Sequence, residues 1–363
     1  MSLGAMIARL CASRGFLHKN DIADVVATLA ERLPRGERDL AQAVAVGDDC
    51  AAIRDGDGYL LFAIEGMVSD FVEAMPWFAG YSSVMVNISD VYAMGGRPLA
   101  VVDALWSDGI GAADQVLAGM AAASVAYGVP VVGGHSNVRS TQSQLAVAIL
   151  GRAQALLSSF DARPGDRLLM AVDLRGRFED PYPFWNASVG APEGRLRADL
   201  DVLPSLAEDA LCAAAKDISM AGTLGTALML LECSGVGARI DLGAMPRPAG
   251  VDFERCLTAF PSFGFLLSVR EEHMQEVIAR FAARSLACAA IGTVTASREV
   301  IVQQGEESAP LWNFDEAPFM RAREKNAADP DAVDAQATGA PHEHHSIRTE
   351  PEHASHAFHD QMA

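Results

Sequence analysis

The sequence predicts a mixed α/β (α+β) protein of two domains followed by an unstructured tail, and three observations carry that expectation. Half of the 363 residues are hydrophobic, enough for two separate cores. Strand-like and helix-like runs alternate through the first half instead of segregating. A Pro164-Gly165 turn with a new strand behind it opens a second alternation, and the composition changes after about Glu324. The expected boundaries are therefore 1–158, 159–323 and 324–363.

Residues 7 to 33 carry apolar positions at helical spacing: Ile7, Leu10 and Cys11, then Val25, Val26 and Leu29 in a second helix capped at Asn20 or Asp21. AVAVGDDCAAI reads as a strand broken at Gly47-Asp48-Asp49 and resumed from Cys50 to Ile53. Asp55 to Gly58 is a turn, and YLLFAIEG is the next strand. MVSDFVEAMPWFAG leads into VNISDVYAMGGRP, Val86 to Pro98, read as the start of a short helix that Gly95-Gly96 stops before the strand PLAVVDALW. Ala112 to Tyr127 is an alanine-rich helix closed by Gly128. VPVVGGHSN and Gln144 to Leu150 are strands, the second ended by Gly151. Arg175 to about Pro204 reads as an extended loop with one short helix. Helices are expected at Ser205–Ala215, Leu224–Cys233 and Glu271–Arg284, and strands at Phe263–Val269 and Ala289–Thr295. In the tail, six of the nine histidines fall between His342 and His359, a polar composition that favours disorder and adventitious transition-metal binding.

The chain has 47 acidic residues against 28 Lys plus Arg. That balance argues against a phosphate-tracking nucleic-acid surface, which needs clustered cations, and favours small ligands or metal ions. The six cysteines are scattered without a C-x-x-C pair, as expected of free thiols in a reducing compartment. No signal segment is evident and no apolar run reaches the length of a membrane span. A soluble cytoplasmic protein with no membrane partner is the expectation.

Carboxylates stand at breaks in apolar segments: Asp48 with Asp49, Glu65, Asp90 and Asp217. Each is either a solvated loop acid, or for Asp90 a satisfied core acid, or a ligand of a hard cation. Lys and Arg are scarce near them in sequence. Gly133-Gly134 and Gly95-Gly96 are turns whose free backbone N–H groups suit a phosphate. His135 is either an acid or base near neutral pH or a turn histidine bonded to backbone. Trp77, Phe78 and Tyr81 either line a pocket or belong to the core. Asp70 and Glu73 are solvated.

GDDCAAI, a strand ending at Glu65-Gly66, NISDVYAMGGRP, GVPVVGGHS and KDISMAGTLG with SGVGARIDL follow one another over roughly residues 40 to 300. In that order they resemble the PurM-like superfamily, which holds aminoimidazole ribonucleotide (AIR) synthetase, thiamine-monophosphate kinase, selenophosphate synthetase and the hydrogenase-maturation carbamoyl dehydratase. The chain looks most like its AIR-synthase-related group. The resemblance implies a two-domain ATP-binding fold whose N-terminal domains pair in a homodimer, their strands closing a β-barrel. It implies Mg2+ ions held on ATP by Asp48 or Asp49, Glu65, Asp90 and Asp217. It further implies a nucleotide contact from Asn87, with the Gly133-Gly134-His135-Ser136 turn supplied by the partner subunit. Ser89 is left as a structural hydroxyl.

Several positions depart from the superfamily pattern. Glu65 stands where Asp is usual, and Asp217-Ile218-Ser219-Met220-Ala221 lacks the second acid of thiamine-monophosphate kinase. Cys11 is followed by Ala12-Ser13-Arg14, without the lysine of selenophosphate synthetase. The acceptor motifs after Glu65 are missing too. The expected function is Mg-ATP-dependent phosphoryl transfer to, or activation of an oxygen of, a small metabolite. The alternatives are a nucleotide-binding regulatory or assembly protein without turnover, and thiamine-monophosphate kinase-like or selenophosphate synthetase-like activity.

Overall fold

The computed structural model describes residues 2–19 and 46–320 together with the single positions 25, 28, 32 and 44. The expected helix through Leu29, its Asn20 or Asp21 cap, and the His-rich tail lie outside the described residues.

The chain opens with helices α1 (Leu3–Cys11) and α2 (Arg14–Leu17). Strands β1 (Ala51–Asp55) and β2 (Gly58–Met67) form a hairpin across the Gly56-containing turn. Helices α3 (Ser69–Ala74) and α4 (Pro76–Ala93) follow, then β3 (Arg97–Asp108), α5 (Gly109–Tyr127), β4 (Val131–Asn137) and β5 (Arg139–Ala153). These five strands make one sheet in the order β1-β2-β5-β3-β4, antiparallel except for the β3-β4 pair. The parallel pair needs a crossover, which α5 supplies. Alternate residues of β2 and β5, among them Leu61, Val147 and Ile149, turn inward onto α4 and are almost wholly buried. Among the described residues this sheet is open and closes no barrel.

The second sheet has seven strands in the order β14-β13-β10-β12-β6-β11-β9. Its members in chain order are β6 (Arg167–Val172), β9 (Ala214–Asp217), β10 (Gly237–Asp241), β11 (Gly264–Val269), β12 (Ala287–Thr295), β13 (Glu299–Gln304) and β14 (Glu307–Asn313). A two-stranded ribbon, β7 (Arg177–Glu179) and β8 (Phe184–Asn186), precedes helices α6 (Arg195–Leu200) and α7 (Val202–Glu208). Helix α8 (Gly222–Ser234) is buried along almost its whole length, and α9 (Phe253–Leu257) and α10 (Met274–Ala282) complete the set.

Four expectations need correction. Val86 to Ala93 is not the start of a short helix but the second half of α4, because Pro76 sits at the first helical position, where its missing N–H costs nothing. Its stop is as expected: Gly95 has φ +76 and its N–H bonds to Tyr92 O, while Gly96 N–H bonds to Val91 O. Arg175 to Pro204 is not an extended loop; it holds β7, β8, α6 and the start of α7. The helix expected over Ser205–Ala215 ends at Glu208, and Ala214–Asp217 is instead an edge strand paired with β11. Alanine's helix propensity yields there to ladder pairing. Finally, Gly133 to Ser136 is not a turn but the middle of β4.

Helix α5 is long and apolar enough, by length and composition, to cross a membrane, contrary to the sequence expectation. In this fold it lies along α4. The two backbones approach so closely that a Cβ at Gly80 would stand 2.0 Å from Val116 O, and one at Gly119 would stand 1.9 Å from Trp77 O. Phe78 and Tyr81 of α4 are core residues, whereas Asp70 and Glu73 are exposed. All six cysteines are free.

Candidate active site

The acids singled out by sequence converge where α4 meets the edge strand β9. Asp90 is on α4, Asp217 ends β9, Asp49 precedes β1 and Glu65 lies near the end of β2. One carboxylate oxygen from each of Asp49, Asp90 and Asp217 lies within 4.8 Å of the others. Asp90 is 6% exposed, and among the described residues its Oδ2 has no hydrogen-bond partner. Burying a bare carboxylate oxygen costs more than folding can absorb without a proton or a cation.

The electrostatics follow from that crowding. Burial holds the Asp90 carboxyl well above the usual carboxylate range, and Asp217, Glu65 and Asp49 push it further. Asp217 is raised to about 8, first by burial and then by Asp49. Glu65 reaches solvent, yet its carboxyl is raised by the protein packed around it and by Asp49, against the opposing pull of Lys19 and Lys216. A group of carboxyls that resists ionisation alone is one that a divalent cation would ionise.

Lys216, the residue before Asp217, is 4% exposed, and its Nζ forms an ion pair with Asp49 Oδ1. The neighbouring acids hold its ammonium well above the usual lysine range despite burial. Cations are therefore not scarce here. Sequence reasoning missed Lys216, although a lysine inside the apolar stretch Ala213 to Ile218 had to find a carboxylate.

Asp48 takes a different part from Asp49. Its Oδ2 accepts from Ser158 Oγ and Ser159 N, both at 2.9 Å, and its Oδ1 accepts from Ser159 Oγ at 2.7 Å. It pins the loop ahead of β1 to the entrance of the second sheet. Asn87 is fully enclosed, with its Nδ2 donating to Ser83 O at 2.8 Å and its Oδ1 unpartnered. Ser89 Oγ bonds back to Met85 O, as a structural hydroxyl does.

Gly133, Gly134, His135 and Ser136 are exposed and are not brought to the acids of their own chain. Strand β4 is three strands from β2, about 14 Å at the usual spacing. Gly134 has a local reason to lack a side chain, since a Cβ there would stand 2.2 Å from Asp103 Oδ1. His135 lies beside Trp106, ring centroids 6.4 Å apart. Next to the acid cluster is a partly open cavity of about 60 Å3, lined by Asp217, Ser89, Tyr127, Ser188, Asp173 and Asp199 among others. Tyr81 and Tyr127 both place their hydroxyls on Ser188 Oγ, at 2.6 and 2.7 Å.

Residues 47–153 match the profile of the AIR synthase related protein, N-terminal domain, and residues 184–305 match that of its C-terminal domain. The chain belongs to the AIR synthase related family. It is 48% identical over 318 residues to an uncharacterised protein of Synechocystis, covering 86% of this chain and 97% of that one. To an uncharacterised protein of Methanocaldococcus jannaschii it is 32% identical over 87% of this chain and 98% of that one. A selenide, water dikinase of Geobacter metallireducens is 25% identical over 229 residues, 56% of this chain and 62% of the dikinase. Among solved structures, T. maritima PurL complexed with ATP superposes with a TM-score of 0.64 at 18% identity, covering 79% of this chain and 48% of PurL. AaThiL complexed with AMPPCP and TMP superposes with a TM-score of 0.60 at 21% identity, covering 79% and 96%. These likenesses establish the AIR-synthase-like fold.

Proposed function

We propose that this family member binds ATP with Mg2+ and transfers a phosphoryl group to a small metabolite, or activates an oxygen of one. The observation that carries the reading is the bare, buried Oδ2 of Asp90 inside a group of three carboxylates. Such oxygen donors suit Mg2+, which takes one or two carboxylates and completes its shell with water and phosphate oxygens. Asp90 and Asp217 would hold it, with Asp49 and Glu65 alongside. Bound there, the ion would neutralise charge on the transferring phosphoryl group, the main demand of this chemistry. The names of the relatives support the same direction, since they include a dikinase and structures carrying ATP or AMPPCP. The cavity beside Asp217 offers space for part of an acceptor.

The protein's own contribution is placement. Asp48 and its serines fix the loop that carries Asp49; α4, packed on the first sheet, delivers Asp90, and β9, an edge strand of the second sheet, delivers Asp217. Gly133, Gly134, His135 and Ser136, too far from the acids of their own chain, would complete the nucleotide groove from the partner subunit of a homodimer. Met220, where thiamine-monophosphate kinase has an acid, favours a second reading in which nucleotide is bound without turnover. ADP formation with Mg2+ across a metabolite panel, run beside Asp90→Asn, separates the two. Turnover that Asp90→Asn abolishes supports the enzyme; a Mg-ATP-dependent rise in melting temperature without ADP on any metabolite supports the binder. If Mg-ATP does not raise the melting temperature at all, both readings fail, because a ligand of the folded state must stabilise it.

A further inference from the structure

Lys216 and Asp49 form a buried pair inside the acid cluster, and the two are not placed there by chance of surface geometry. Lys216 projects from β9, whose pairing with β11 leaves it little freedom, and its side chain is 5% exposed against 6% for Asp49. Both oxygens of Asp49 are engaged: Oδ1 by Lys216 Nζ, and Oδ2 by the backbone N–H of Asp217 at 3.4 Å. Asp90 Oδ2, by contrast, is bare. Among the described residues, the cluster thus contains one acid in direct contact with a cation and one whose Oδ2 has no direct partner.

We propose that Lys216 is a resident cation of this centre, occupying on Asp49 the place of a second divalent ion, so that without nucleotide the chain binds a single divalent cation through Asp90 and Asp217. The inference rests on the metal-binding reading above and deepens it. The pairing supports it: with Oδ1 held by an ammonium and Oδ2 by a backbone N–H, Asp49 offers no free oxygen to a second ion unless Lys216 is displaced, and a divalent ion set beside that buried ammonium would meet like-charge repulsion. The chemistry of the ligand set agrees, because Mg2+ and Mn2+ are satisfied by two carboxylates and water. Lys216 is a positioning residue in this scheme. It holds Asp49 and sets the ion count, and it touches no reacting atom.

The test is the number of Mn2+ ions bound per full-length chain without nucleotide, read from the free Mn2+ signal in electron paramagnetic resonance. The six histidines between His342 and His359 are potential ligands outside this site, so Asp90→Asn in the same chain serves as the baseline. Wild type is expected to bind one Mn2+ more than Asp90→Asn, and Lys216→Met to bind one more than wild type. Lys216→Met leaves Asp49 buried and unpaired, and it can fail to fold; the double variant Asp49→Asn with Lys216→Met removes the pair together and avoids that cost. It is expected to keep the single ion with an affinity within about tenfold of wild type, since residues this close to the ligands couple to them. Two or more ions over the baseline in wild type overturn the proposal, as does a folded Lys216→Met with the wild-type count. Loss of the ion in the double variant overturns it too, by making Asp49 a ligand. Equal binding by wild type and Asp90→Asn would instead sink the metal reading itself.

Discussion

Asp48 and Asp90 look alike in sequence, each an acid interrupting an apolar stretch, and the structure separates them by what surrounds each oxygen. Asp48 is held by three bonds from Ser158 and Ser159. Asp48→Ala is therefore expected to cost about 1–3 kcal/mol of stability, the penalty for stranding buried donors, while leaving Mn2+ binding in place. Asp90→Asn should do the reverse: the melting temperature in EDTA rises, because a carboxyl among like charges is gone, and the increment caused by Mg2+ disappears. Asp217 adds a pH dependence. Its folded-state value of about 8 lies above the 3.8 of a free carboxyl, so the folded chain holds a proton that the unfolded chain releases. The stability from this group is complete below about pH 4 and is lost as pH rises through about 8. Thermal unfolding in EDTA should accordingly give a lower melting temperature at pH 8 than at pH 6, and Asp217→Asn should narrow the difference. Mg2+ displaces the same proton, so its affinity should rise over that interval.

At the scale of elements, the close contact of α4 and α5 is what brings Asp90 to a fixed height against β9. Gly80 and Gly119 allow it, and a methyl group at either would run into the facing helix's backbone. Gly119→Ala is expected to destabilise the protein by about 1–3 kcal/mol through overpacking, measured by urea unfolding, with a larger loss of Mg2+ affinity than Gly111→Ala, where nothing lies within 4 Å of the added carbon. The helices and strands that were legible in the sequence are those with strong local signals. Gly128 closes α5 in the left-handed region, Gly95 closes α4, and the continuous apolar run from Tyr59 to Ile64 marks β2. The elements that were not legible depend on partners far away in the chain. Ala214–Asp217 is a strand only because β11 lies beside it, and Val86 is mid-helix only because the run is already helical from Pro76. The candidate site divides in the same way. The carboxylates at breaks in apolar runs were visible, whereas Lys216 acquires its meaning from Asp49, separated from it by most of both sheets, and Ser158 and Ser159 acquire theirs from Asp48.

For the whole molecule, the decisive feature is the face of the first sheet that α4 and α5 leave uncovered. Register places Phe62, Leu150 and Ala100 in one row across it, Ile64, Ala148, Val102 and Gly133 in the next, and Gly66, Ala146, Ala104 and His135 in a third. Phe62 is 48% and Ile64 65% exposed. A sheet face of aliphatic, aromatic and small side chains is built to pack at about 10 Å against another sheet, and a contiguous apolar area of this kind on a water-facing surface marks an interface. In the homodimer proposed above, the third row would carry His135 and its glycine neighbours toward the partner's acids, which their own chain's acids cannot reach. Light scattering at micromolar concentration should then report a dimer for the wild-type chain and a monomer for Ile64→Asp, since a carboxylate in the centre of such a packed face would lie far from any cation. The same variant tests the groove. Its fold should persist, because Ile64 contributes nothing to the buried side of β2, yet the rise in melting temperature with Mg-ATP should be lost. A monomeric Ile64→Asp that still responds to Mg-ATP would place the whole nucleotide site within one chain and remove the role proposed for Gly133 to Ser136.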